Sequence, residues 1–160
     1  MIVLSIVFCC LPAMIVIGAS ATENLSNAFT DAEKAQRKDD FKASSIHSHS
    51  DHIARLTLLR IGLKIREERG ERGERGLDEF AREYFLRRSM LASVYQTMDQ
   101  IHTLLINSDI IPPPGAEHDP ELQDLYPNSS ENSDKQALIK ALVLAGLQEN
   151  VAATQGKRDL

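Results

Sequence analysis

Tryptophan is absent, and aromatic residues make up only 5% of the 160-residue chain. A β-sandwich fills its pleated faces with aromatic and β-branched side chains, so this scarcity points away from one. Cysteine is confined to Cys9 and Cys10. Adjacent cysteines rarely bridge each other, because a disulfide needs a wider Cα separation, and two residues build neither a disulfide framework nor a Cys-rich zinc site. Positive charge is missing over a long stretch: Ser89 to Asp134 holds no Lys or Arg and eight acidic residues. The formal net charge is −5. A nonspecific phosphate binder normally carries a basic surface, so this balance argues against one.

Catalytic motifs are missing too. No Gly-rich loop ends in Gly-Lys-Ser or Gly-Lys-Thr to cradle phosphates, and there is no Gly-x-Ser-x-Gly and no His-Glu-x-x-His. Glu67, Glu68 and Glu117 have no sequence partner that marks an acid/base pair. The chain alone is therefore not expected to be an enzyme. His47, His49 and His52 invite a metal reading. Two of them fall in a Ser-rich stretch, whereas a metal needs ligands held at about 2 Å with an ordered second shell. No metal is expected, and Asp51-His52 reads as a cap with a packed ring at a helix start.

What remains is enough for a core: 42% of the residues are hydrophobic and 26% charged, which excludes wholesale disorder. The opening segment has no charge before Glu23. It is long enough to cross a membrane, and Ala19-Ser20-Ala21 resembles a signal-peptidase site. A basic n-region is missing, however, and no cysteine follows. The alternative is a buried helix started or kinked near Pro12. Composition leaves both open.

Periodicity predicts helices along the chain. Thr30 to Glu33 forms a capping box that opens a polar helix to about Ala43. Ser50 or Asp51 caps the next, with Ile53, Leu56, Leu59 and Leu63 on one face to about Glu68. The Arg-Gly-Glu repeat, residues 69–76, reads as a mobile loop, since each glycine costs a helix about 1 kcal/mol. Leu77, Phe80, Ala81 and Tyr84 form an apolar stripe that Leu91, Val94, Tyr95, Met98, Ile101 and Leu105 continue. Arg87 and Arg88 interrupt it, so two helices are expected, with Ser89 capping the second. Residues 112–132 read as a flexible, Pro-rich acidic loop. Ser133 to Gln136 is a further capping box. Ala137, Leu138, Ala141, Leu142 and Ala145 form the predicted buried face of the last helix, and Gly146 its left-handed stop.

Several stretches, taken in order, resemble one family. They are "CCLPAMIVIGASATENLSNAF", "DAEKAQRKDDF", "SDHIARLTLL", "LDEFAREYFLRRSMLASVYQTMDQIHTLL" and "ENSDKQALIKALVLAGLQENVA". Their sequence is similar to the helicase-associated region of DEAH/RHA-type (DExH) RNA helicases. The resemblance implies an all-α fold, a ratchet-like helical bundle over residues 1–153. Residues 154–160 would be a tail leading toward an OB-fold that lies outside this chain. It also implies that Leu11 to Ser20 is a buried helix.

The implied role is accessory: such a domain lines the single-stranded RNA path and couples ATPase motion to translocation. ATP and magnesium would belong to the RecA-like domains of the parent family, and no cofactor is expected in this chain. Single-stranded RNA, bound weakly, and RecA-like domains are the implied partners, in the cytoplasm or nucleus. The alternatives are a membrane-anchored or secreted helical protein, using residues 1–21, and a structural remnant. Arg82, Arg87 and Arg88 are the candidates for RNA backbone contact, because cations that break an apolar stripe need solvent, a carboxylate or a phosphate.

Overall fold

The computed structural model describes residues 1–21, 50–67, 71–84, 86–113 and 130–147. Among them are six helices and no extended strand: α1 (Ile2–Val7), α2 (Leu11–Ala21), α3 (Asp51–Arg66), α4 (Glu71–Glu83), α5 (Arg88–Asn107) and α6 (Gln136–Gly146). The all-α expectation holds for these residues. The predicted polar helix up to Ala43, His47, His49, most of the Pro-rich stretch and the tail lie outside the described residues.

The uncharged opening folds as two helices, and the second of them is buried in the core. Cys9 takes φ 52°, a left-handed value that side chains rarely adopt. Its N–H donates to the Ile6 carbonyl at 3.0 Å, and the Cys10 N–H to the Ser5 carbonyl at 2.9 Å. This is a Schellman termination with cysteine in the glycine position. α2 then restarts at Leu11 with Pro12 in its first turn, where the missing N–H has no helical partner to lose. Leu11, Ala13, Met14, Ile15, Val16, Ile17 and Ala19 are all buried, as a helix apolar on every side must be. α2 packs against α1, α3 and α5. No described helix is long and apolar enough to cross a membrane.

α3 is in contact with α2, α4 and α6. The Ser50 hydroxyl caps it by accepting from the Ile53 N–H at 3.4 Å, and Ile53, Leu56 and Leu59 are buried on the predicted stripe. Leu77, Phe80 and Ala81 of α4 and Leu91, Val94 and Tyr95 of α5 complete one cluster with α2 and α6. A smaller cluster joins Leu11 and Ile15 to Leu105 and Ile111.

Five sequence expectations need correction. The Arg-Gly-Glu stretch is helical from Glu71, and not a loop over 69–76. Residues three apart share a helix face, so Gly73 and Gly76 both fall on the side toward α3. A Cβ on Gly76 would lie 2.6 Å from Ile65 Cγ2, so glycine permits the close approach whose packing offsets its poor helix propensity. Helix α5 begins at Arg88 with Arg87 as its N-cap, and Ser89 is not the cap. The Arg88 ion pairs described below fix that start.

At α6, Lys135 stands at the N-cap with no side-chain bond, and the box from Ser133 does not form. Ser133 is drawn inward instead, its hydroxyl buried without a partner among the described residues. The buried face is Ile139, Leu142 and Val143, while Ala137, Ala141 and Ala145 are exposed. Turning the larger side chains inward removes more apolar surface from water. Gly146 is helical and no left-handed stop, and the C-cap is Leu147 at φ −115°. Glycine is required there by approach: a Cβ would meet Met1 Cβ at 2.7 Å. The end of the Pro-rich stretch is anchored as well. The Asn132 N–H donates to the Cys9 carbonyl at 2.7 Å, and its side-chain amide to the Phe8 carbonyl at 2.8 Å.

Candidate functional site

Residues Arg55 to Arg88 carry ten Lys or Arg against seven Asp or Glu, and several of these arginines are used inside the fold. Four arginines tie one element to another. Arg55 Nη1 donates to the Ser20 carbonyl at 2.8 Å, at the last turn of α2, where carbonyls lack helical partners and favour a cation. Arg60 reaches the turn before α6, with Nη1 2.6 Å from Asp134 Oδ1 and Nη2 2.7 Å from the Ser133 carbonyl. Arg66 grips Asp99 of α5 through two bonds, at 2.6 and 3.3 Å, and stacks 5.3 Å from the centre of the Tyr95 ring. The Asp99 hydrogen bond outweighs burial and pushes the Arg66 guanidinium up from its ordinary value.

The fourth is Arg88, one of the three residues singled out for RNA contact. Its Nε lies 3.0 Å from Asp78 Oδ1 and its Nη2 2.6 Å from Glu74 Oε2, so two carboxylates of α4 hold it. A cation at a helix N-terminus opposes the helix dipole, and those carboxylates compensate it. Arg82 is exposed on the last turn of α4. Arg87 is exposed in extended backbone at the corner, φ −74° and ψ 121°, and its carbonyl accepts from Met90 and Leu91. Leu86 is buried between the two and sets the corner, with its N–H bonded to the Ala81 carbonyl at 2.8 Å. The corner thus presents Arg82 and Arg87 outward and turns Arg88 back onto α4. This arrangement can attract a phosphate backbone only weakly, since Glu74, Asp78 and Glu83 share the helix.

Among the described residues, His52 and the two cysteines are other chemistry-bearing groups. Burial, followed by Arg55, lowers the His52 imidazole from its ordinary value, with Asp51 opposing. Burial pushes the Cys10 thiol up, with Cys9 adding to it, and both cysteines are unbridged. A buried thiol held protonated is a poor nucleophile. No cluster of three metal-ligating side chains occurs among the described residues.

A feature the sequence reading passed over lies on α4. A groove of about 650 Å³ runs between α3 and α4, with Ile61, Ile65 and Phe80 in its floor and Arg72, Arg75, Glu79 and Glu83 along its side. Reading the Arg-Gly-Glu repeat as a loop hid it. The three-residue repeat itself was the available signal, because it holds one residue type near one helix face. No protein-family model and no curated protein matches the chain.

Proposed function

We propose that the chain is a helical accessory domain of a DExH-type RNA helicase, with no ATPase of its own, that contacts single-stranded RNA weakly through Arg82 and Arg87. RecA-like domains of a parent helicase would hold ATP and magnesium and would be its protein partners, in the cytoplasm or nucleus. The reading rests on the resemblance of the five stretches quoted above. The observation that supports it most is the burial of α2, because a targeting segment exposed to lipid or to a peptidase would not be the centre of a helical core. Arg88 contributes by holding α4 against α5 and so fixing the corner between Arg82 and Arg87.

The test is fluorescence anisotropy of a labelled single-stranded RNA with the purified chain. Two phosphate contacts should make affinity fall about sevenfold between about 50 and about 200 mM salt. Arg82→Ala with Arg87→Ala should weaken binding at low salt and flatten the salt dependence. Binding that ignores salt, or that is unchanged in the double variant, overturns the assignment of these residues. ATP hydrolysis by the chain alone overturns the accessory role.

A further inference from the structure

We propose that the groove beside α4 is the seat of a second copy of this chain, packed α4 against α4 in antiparallel sense. The argument is one of charge order. Along one side of α4 stand Arg72 and Arg75, then Glu79 and Glu83, all lining the groove. Their spacings of three, four and four residues hold them on one helical stripe. The stripe reads plus, plus, minus, minus over about 16 Å at the helical rise.

Such a stripe is complementary to itself when reversed. An antiparallel copy sets Arg72 opposite the partner's Glu83 and Arg75 opposite the partner's Glu79, and the two-fold axis repeats both pairs. That is the self-complementarity an isologous dimer requires. A parallel copy would oppose like charges, so the pattern also selects the orientation. Arg72, Arg75 and Glu83 already have neighbours within the chain, so dimerisation would share those neighbours and not fill empty partners.

The apolar floor supplies the burial. Ile61 is 39% exposed on the surface of α3, and Ile65 and Tyr84 are half-buried at the groove. Gly76 lines it too, where α4 runs close against Ile65 of α3. An interface built on one helix face belongs to the weak class, below about 1,200 Å². The proposal does not depend on the helicase reading.

Sedimentation equilibrium of the full chain from about 5 to about 500 µM tests it. Wild type should pass from monomer to dimer across that range. Arg72→Glu with Arg75→Glu makes the stripe wholly acidic, and Glu79→Arg with Glu83→Arg makes it wholly basic. Each should dimerise at least tenfold more weakly alone, and an equimolar mixture should recover a heterodimer of wild-type strength. Ile61→Asp, on the exposed floor, offers an independent disruption should a charge variant lose helicity by circular dichroism. A wild-type chain that stays monomeric throughout, and so leaves the groove to a different polypeptide, overturns the proposal. Charge variants that dimerise like wild type overturn it equally.

Discussion

The hydroxyl of Tyr95 is enclosed at the junction of α3, α4 and α5 with no acceptor among the described residues. Gly62 makes the space for it, since a Cβ there would lie 2.2 Å from the hydroxyl and 3.0 Å from Phe80 Cε1. Gly62→Ala is therefore expected to cost about 1–3 kcal/mol by overpacking, read as a lowered denaturant midpoint. Tyr95→Phe removes a buried polar atom that has no partner, so it should be neutral or stabilising. Combined, the two should cost less than Gly62→Ala alone, because the worst contact has gone. Burial, opposed by Arg66 and Arg88, pushes the Tyr95 phenol up to about 12. A raised pKa in the folded state means that the folded chain holds its proton longer. Stability is thus full below about pH 10, the unfolded value, and is lost as pH rises toward 12. Unfolding followed by circular dichroism across that window should show a smaller loss in Tyr95→Phe. None of this was legible beforehand. The interrupted stripe did flag Arg88, but its partners Glu74 and Asp78 lie across a helix break, where spacing along the chain carries no information.

Helix ends show the same division between what pattern reveals and what packing decides. α1 and α5 both close on a left-handed residue that is not glycine, Cys9 at φ 52° and Asp109 at φ 53°. The Asp109 N–H donates to the Ile106 carbonyl at 3.0 Å and the Ile110 N–H to the Leu105 carbonyl at 2.9 Å, repeating the arrangement at Cys9. Aspartate tolerates this region better than cysteine does. Cys9→Gly should consequently stabilise the chain by about 0.5–1 kcal/mol, measured as a raised melting temperature. An unchanged or lowered value would mean that the turn is not held left-handed. The stripes of α3 and α5 were legible because large apolar side chains recur at helical spacing and have one way to be buried. The start of α4 and the capping at Ser89, Ser133 and Gly146 were not. There the local preference is worth about 1 kcal/mol, and a close contact or an ion pair from another element exceeds it.

For the molecule as a whole, the uncharged opening is the decisive segment. Burying Leu11, Met14, Ile15, Val16 and Ile17 contributes about 7–15 kcal/mol at the usual value per large side chain. That matches the entire net stability of an ordinary domain, about 5–15 kcal/mol. A chain begun at Thr22 should accordingly show no cooperative thermal transition by circular dichroism. A sharp transition like that of the full chain would show that α2 is dispensable. The helical character of the described residues was readable from composition and periodicity, and so was the possibility of a core role for residues 11–20. Which possibility held was not, because a run without charge suits lipid and core equally until its neighbours are known. The α4 groove was hidden for a related reason: its residues are apolar, basic and acidic in turn, and only the pairing of α3 with α4 brings them to one surface.

Met1 rests against Gly146, and the Asn132 amide clasps the carbonyls of Phe8 and Cys9. The first and the sixth helix therefore share one doorway. A bulkier residue at position 146 would press on the first helix as well as the last, and the two would loosen together.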